Sequence, residues 1–157
     1  MSARRLILPA ALLAVWSVCP LGGLVHADEA VTSQALTTRA WKSLGTGDLE
    51  DALEATATCR ELFAAEATSQ QAALEDFLPP EKGHDAWALN DVGTCLFIEG
   101  QVHEKAGRTA AAVTAYRRLV DDYRFAQCWD EKGWFWKPSQ AAADRLEVLE
   151  FDEALAP

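Results

Sequence analysis

AWALNDVGTCLFIEGQVHEKAGRTAAAVTAYRRLVDDY, Ala86 to Tyr123, is the stretch whose reading decides the fold. Leu89, Val92, Leu96, Phe97, Gly100, Val102 and Ala106 fall mostly three or four apart, which lines one face of a helix at about 3.6 residues per turn. Lys105-Ala106-Gly107 stops that helix, because glycine tolerates the left-handed conformation a C-terminal cap needs. Thr109 is placed to cap a second helix, whose apolar stripe is Ala112, Val113, Tyr116, Leu119, Val120 and Tyr123. Gly100 and Ala112 are small, so the two backbones are expected to approach closely, with Tyr116 and Leu119 filling the wider gaps.

Leu96, Gly100, His103, Ala112 and Tyr116 stand at the spacing of a large apolar residue, a small one, an aromatic, an alanine and a second aromatic. That pattern resembles a tetratricopeptide repeat. His103 stands where the family has an aromatic, and Glu99 where it has leucine. The resemblance implies an all-α fold of stacked helical hairpins with a groove for a protein or peptide.

Upstream, a helix from Ser33 carries Leu36, Ala40, Trp41 and Leu44 and breaks at Gly45-Thr46-Gly47. Asp48 caps the next, with Glu50 and Asp51 in a first turn where the helix dipole favours acids. Leu49, Ala52, Leu53, Thr56, Cys59, Leu62 and Phe63 form its buried stripe. Ala40 precedes Ala52 as Gly100 precedes Ala112, so this pair reads as a degenerate copy of the central hairpin. The alternative is two unrelated hairpins. The copies lie sixty residues apart, against the roughly thirty-four of a tandem array. The excess is a helix extended through Phe77 and a linker, Leu78 to Gly83. Pro138-Ser139 opens a closing helix with Ala142, Leu146, Leu149 and Phe151 inward. The expected architecture is all-α: about five helices, hairpins over 33–77 and 84–124, an aromatic loop 125–138, a capping helix 139–151, and no sheet.

Residues 1–27 read as a secretory signal peptide: Arg4 and Arg5, an apolar run, then Val25-His26-Ala27 before the cut. Pro9, Pro20, Gly22 and Gly23 interrupt the run and speak against a membrane anchor. Residues 28–157 then form a single periplasmic or secreted domain. Loss of Arg4 and Arg5 moves the formal charge from −10 to −12. A surface this acidic repels phosphate backbones and anionic lipid, which argues against nucleic acid and against membrane insertion after cleavage.

Cys59, Cys95 and Cys128 remain in that domain. Adjacent repeats would bring Cys59 and Cys95 together, so in an oxidising compartment they are the expected disulfide; the alternative is that they pack as free, small apolar side chains. No CxxC is present, and Glu99 with His103, one turn apart, is a polar pair rather than a metal site. No cofactor is implied. GxSxG, P-loop and GxGxxG patterns are absent, and a nucleophile from Cys128 with His103 would need an activated thiol. No catalytic residue is singled out.

The loop FAQCWDEKGWFWKP, Phe125 to Pro138, holds half of the chain's six tryptophans. It reads either as a cap on the open end of the helix stack or as a stacking platform for a sugar ring or apolar peptide. In the cap, Trp129, Trp134 and Trp136 lie on Tyr116, Leu119 and Tyr123. Trp134 and Trp136 share a face if extended, which leaves Phe135 outward. Trp129, Trp134, Phe135, Trp136, Glu99 and His103 are the candidate partner-binding residues. The leading expectation is an adaptor for protein or peptide. The alternative is a carbohydrate-binding or glycan-processing protein, which a resemblance to small exported tetratricopeptide proteins of Gram-negative bacteria, some labelled beta-glucanase, also implies.

Overall fold

The computed structural model describes residues 31–130 and 132–155. The expected leader lies outside them. The chain forms α1 (Ser33–Thr46), α2 (Leu49–Ala72), a 3-10 turn (Pro80–Ala86), α3 (Trp87–Lys105) and α4 (Thr109–Asp122). A hairpin of β1 (Cys128–Asp130) and β2 (Trp134–Trp136) follows, then α5 (Pro138–Leu155). The fold is therefore all-α in character. The expectation of no sheet is corrected by two antiparallel strands that pair Cys128 with Trp136, Trp129 with Phe135 and Asp130 with Trp134.

The turns follow from local chemistry. Gly47 and Gly107 sit at φ 83° and 70°, conformations that cost other residues energy and let the chain reverse after α1 and α3. Asp48 accepts from the Asp51 amide at 3.1 Å and so caps α2 as expected. Thr109 does not cap α4: Arg108 holds the cap position without a side-chain bond. Ser139 donates to Arg124 O at 2.6 Å and ties the start of α5 to the end of the preceding segment.

α2 ends at Ala72, five residues short of the expected Phe77. Leu74, Phe77 and Leu78 then turn inward, and Phe77 meets Phe125 edge-on at 5.5 Å. Burying these side chains outweighs a further turn of exposed helix.

Each helix packs on the next in sequence, and α3 also touches α1 and α5. This places α3 at the centre. It is buried nearly all round, not on one stripe: Leu89, Val92, Leu96, Ile98 and Val102 are all fully withdrawn from water. Each such side chain contributes about 1.5–3 kcal/mol of transfer free energy. Close approach to α4 is made at Gly100, where a Cβ would lie 2.2 Å from Tyr116 Cε1. Tyr116 thus fills the space directly over Gly100. Its hydroxyl donates to Glu104 Oε1 at 2.6 Å, and Arg145 of α5 pairs with the same carboxylate, joining three helices at one point.

The bridge expected between Cys59 and Cys95 is not formed. Both are free thiols with no exposed surface, packed in the α2–α3 interface as small apolar groups.

The hairpin does not cap the open end of the stack. α5 packs on α4 there, and the hairpin folds back toward α1, α3 and the 3-10 turn. Trp136 lies against Trp41 of α1 at 6.3 Å and edge-on to Phe97 of α3 at 4.7 Å. Asn90 of α3 fastens this return: its amide donates to Gly83 O at 2.7 Å and its oxygen accepts from the Gln127 amide at 2.8 Å. Gln127 in turn donates to Leu78 O, and Gln71 accepts from the Phe125 amide. Four side-chain bonds thereby satisfy the irregular backbone that would otherwise be buried without partners.

Candidate functional site

α1 and α3 run beside each other, and the returning hairpin packs on both through Trp136, against Trp41 and Phe97. Between them lies an open groove of about 890 Å³. Trp41, Trp87, Trp129 and Phe63 supply its aromatic walls, and Ser33, Thr37, Asn90, Asp91 and Thr94 its polar lining. A smaller recess of about 490 Å³ adjoins it, sharing Trp41, Cys128 and Trp129 and adding Asp130, Lys132 and Trp136.

Helical spacing sets the floor. Ser33 and Thr37 are four apart on α1, and Trp41 follows one turn later on the same side. On α3, Trp87, Asp91 and Thr94 repeat at four and three. Thr94 Oγ1 back-bonds to Asn90 O at 2.7 Å, and Thr37 Oγ1 to Ser33 O at 2.9 Å, so both hydroxyls are held against their own helices. The Ser33 hydroxyl donates to Asp91 Oδ2 at 2.5 Å and joins the two helices across the floor.

Asp91 carries the groove's electrostatics. Burial pushes its carboxyl above the usual range, and the Ser33 hydrogen bond opposes that only in part. Among the described residues no Lys or Arg lines the larger chamber. Cys128 also faces it, but burial pushes its thiol up, away from the thiolate a nucleophile requires. The adjacent Cys59 thiol and burial raise Cys95 well above the ordinary cysteine range, and Thr37 Oγ1 lies 3.4 Å from its sulfur. These thiols are suited to packing.

The candidate residues from the loop separate into distinct roles. Trp129 lines the groove with about half its surface exposed (49%). Trp136 is partly buried and packs against the core beside Trp41 and Phe97. The expected facing of Trp134 and Phe135 is reversed. Trp134 is 51% exposed, beside the Gly133 turn at the hairpin tip, beyond reach of the core. Phe135 is half-buried: it stands opposite Trp129, 5.0 Å away ring to ring, and seats on Gly83, where any Cβ would meet its ring at 2.4 Å. His84 packs against both rings at 5.9 and 5.1 Å and fixes the outer wall.

Glu99 and His103 are not in the groove. Glu99 pairs with Arg60 of α2 at 3.1 Å, with His103 Nε2 at 3.9 Å from the same carboxylate. Arg108 donates to His103 Nδ1 at 3.0 Å, which requires a neutral ring, and burial lowers the His103 pKa in the same direction. This cluster clamps α2 to α3.

Sequence reasoning missed Ser33, Thr37, Trp41, Trp87, Asp91 and Thr94 as a set. Their signal is polar residues at helical spacing within otherwise apolar helices, at Asn90-Asp91 and Thr94 above all. Comparison with protein families, with curated proteins and with solved structures gives no match, so geometry and chemistry carry the reading of the groove.

Proposed function

We propose that this chain is an exported helical-repeat adaptor that holds an extended segment of a partner protein in the groove between α1 and α3. The observation that carries the reading is the groove itself: two side-by-side helices, aromatic walls and a polar floor, about 890 Å³ open to solvent. Open grooves of this composition bind by burying apolar side chains on indole faces while fixed polar groups set register. The stacking of each helix on its sequence neighbour, with α1 also against α3, is consistent with tetratricopeptide-like hairpins. Export rests on the leader pattern of residues 1–27.

A catalytic role has less behind it. Among the described residues Asp91 is the one carboxylate lining the larger chamber, whereas glycoside hydrolysis uses two across the scissile bond. Carbohydrate binding without turnover is the second reading, favoured by the exposed faces of Trp87 and Trp129 near hydroxyl-bearing side chains. Titration of the domain from Asp28 with a random blocked-decapeptide pool and, separately, with soluble cell-wall oligosaccharides distinguishes the two. The adaptor reading expects quenching of indole fluorescence by the peptides. Quenching by oligosaccharides alone would replace it with the glycan reading.

A further inference from the structure

We infer that the floor of the groove is a pocket for a cationic side chain, so that the bound peptide segment presents a lysine or arginine to Asp91. The inference rests on the peptide-binding reading and adds to it the chemistry of the residue recognised.

Three observations point the same way. Asp91 sits at the meeting of α1 and α3 with one oxygen engaged by the Ser33 hydroxyl, and its second oxygen has no hydrogen-bond partner among the described residues. No ion pair among the described residues includes it, while Asp51, Glu99, Glu104 and Glu150 each have an arginine. A withdrawn carboxylate without a cation is costly, and the raised carboxyl pKa expresses that cost.

The walls supply the second observation. Trp41, Trp87, Trp129 and Phe63 surround the same chamber, and ring faces attract ammonium and guanidinium groups through their quadrupoles. Trp87 and Trp129 are 46% and 49% exposed, so faces remain for a ligand. Phe63 meets Trp87 edge-on at 5.8 Å and holds that indole in place. An aromatic enclosure with one carboxylate at its base suits a cation whose stem is apolar, which describes both basic side chains.

The third observation is what the chamber lacks. With no Lys or Arg in its lining among the described residues and a chain of formal charge −10, it meets a ligand carboxylate or phosphate with Asp91 and without a lysine or arginine to offset it. Charge complementarity therefore selects a basic segment over an acidic one. A neutral sugar would engage the indoles but leave the Asp91 charge uncompensated.

The test uses arrays of blocked random decapeptides in which one central position is fixed as arginine, lysine, citrulline, norleucine or glutamate. The wild-type domain is expected to bind the arginine and lysine sets at least about tenfold more tightly than the citrulline and norleucine sets, and the glutamate set least. Asp91→Asn keeps an acceptor for Ser33 and removes the charge; it is expected to lose that tenfold preference while still binding the norleucine set. Trp129→Leu alters an exposed indole and is expected to reduce the preference at least about threefold, which keeps the inference testable if the Asp91 variant is unstable. Equal binding of citrulline or norleucine by the wild type overturns the cationic pocket and leaves the peptide reading intact. Binding of none of the five sets overturns both.

Discussion

Replacing Gly100 by alanine probes the close approach of α3 to α4. In an isolated helix the change is favourable by about 1 kcal/mol, because alanine is the better helix former. Here the new Cβ would lie 2.2, 2.5 and 2.6 Å from Cε1, Cζ and Cδ1 of Tyr116. The ring has little freedom to withdraw. Tyr116 is fully buried, Phe97 lies against it at 5.7 Å, and its hydroxyl is held by Glu104 at 2.6 Å. Overpacking of this kind costs typically 1–3 kcal/mol, and a planar, anchored ring puts it at the upper end. The net expectation is destabilisation by about 2 kcal/mol, a fall in Tm of roughly 6–10 °C for a domain this size. Thermal denaturation followed by circular dichroism reads it directly. Gly100→Ala combined with Tyr116→Leu should recover part of the loss, since the contacts are shared. A Gly100→Ala protein more stable than the parent would refute the packing of α3 on α4 described above.

Trp136→Ala, which removes an indole packed on Trp41 and Phe97, is expected to cost about 3–5 kcal/mol, whereas Trp134→Ala at the exposed hairpin tip should stay within about 0.5 kcal/mol by urea denaturation. Burial pushes the Glu104 carboxyl up, but the Arg145 and Tyr116 hydrogen bonds outweigh it and hold the pKa below the usual value. A lowered folded-state pKa means stability that is present above the unfolded value of 4.5 and lost as pH falls through the folded one, so Tm should decline below about pH 4.5, with a shallower decline in Glu104→Gln. For the domain from Asp28, titration with a thiol reagent in denaturant without reductant should count three thiols, Cys59, Cys95 and Cys128, while the native protein reacts at none of the fully buried pair; a count of one would restore the disulfide.

Much of the helical plan was legible because its signals are local. Gly47, Gly107 and Asp48 act within one turn of chain, and the three-and-four spacing of apolar residues needs no knowledge of the partner surface. What could not be read was which surfaces meet. The aromatic loop was visible as unusual, but its facing depended on Gly83, about fifty residues upstream, whose missing side chain provides the seat for Phe135. Asn90, Gln71 and Gln127 looked like ordinary polar residues; they matter because they satisfy backbone groups distant in sequence. The groove lay further out of reach, since Ser33 on α1 and Asp91 on α3 become neighbours only after two hairpins have stacked. The proximity of Cys59 and Cys95 followed from that stacking, but whether they are joined did not.

The groove between α1 and α3 is the proposed peptide site. The most direct measurement is a nuclear magnetic resonance titration of the labelled domain with arginine-centred blocked decapeptides, following the indole N–H signals. Trp87 and Trp129 line the groove and Trp134 does not, so the three indoles report the location without further mapping. Saturable shifts are expected at Trp87 and Trp129, together with the amides of Ser33, Thr37 and Asp91, and an unmoved Trp134. Shifts confined to Trp134, or to α4 and α5, would contradict it.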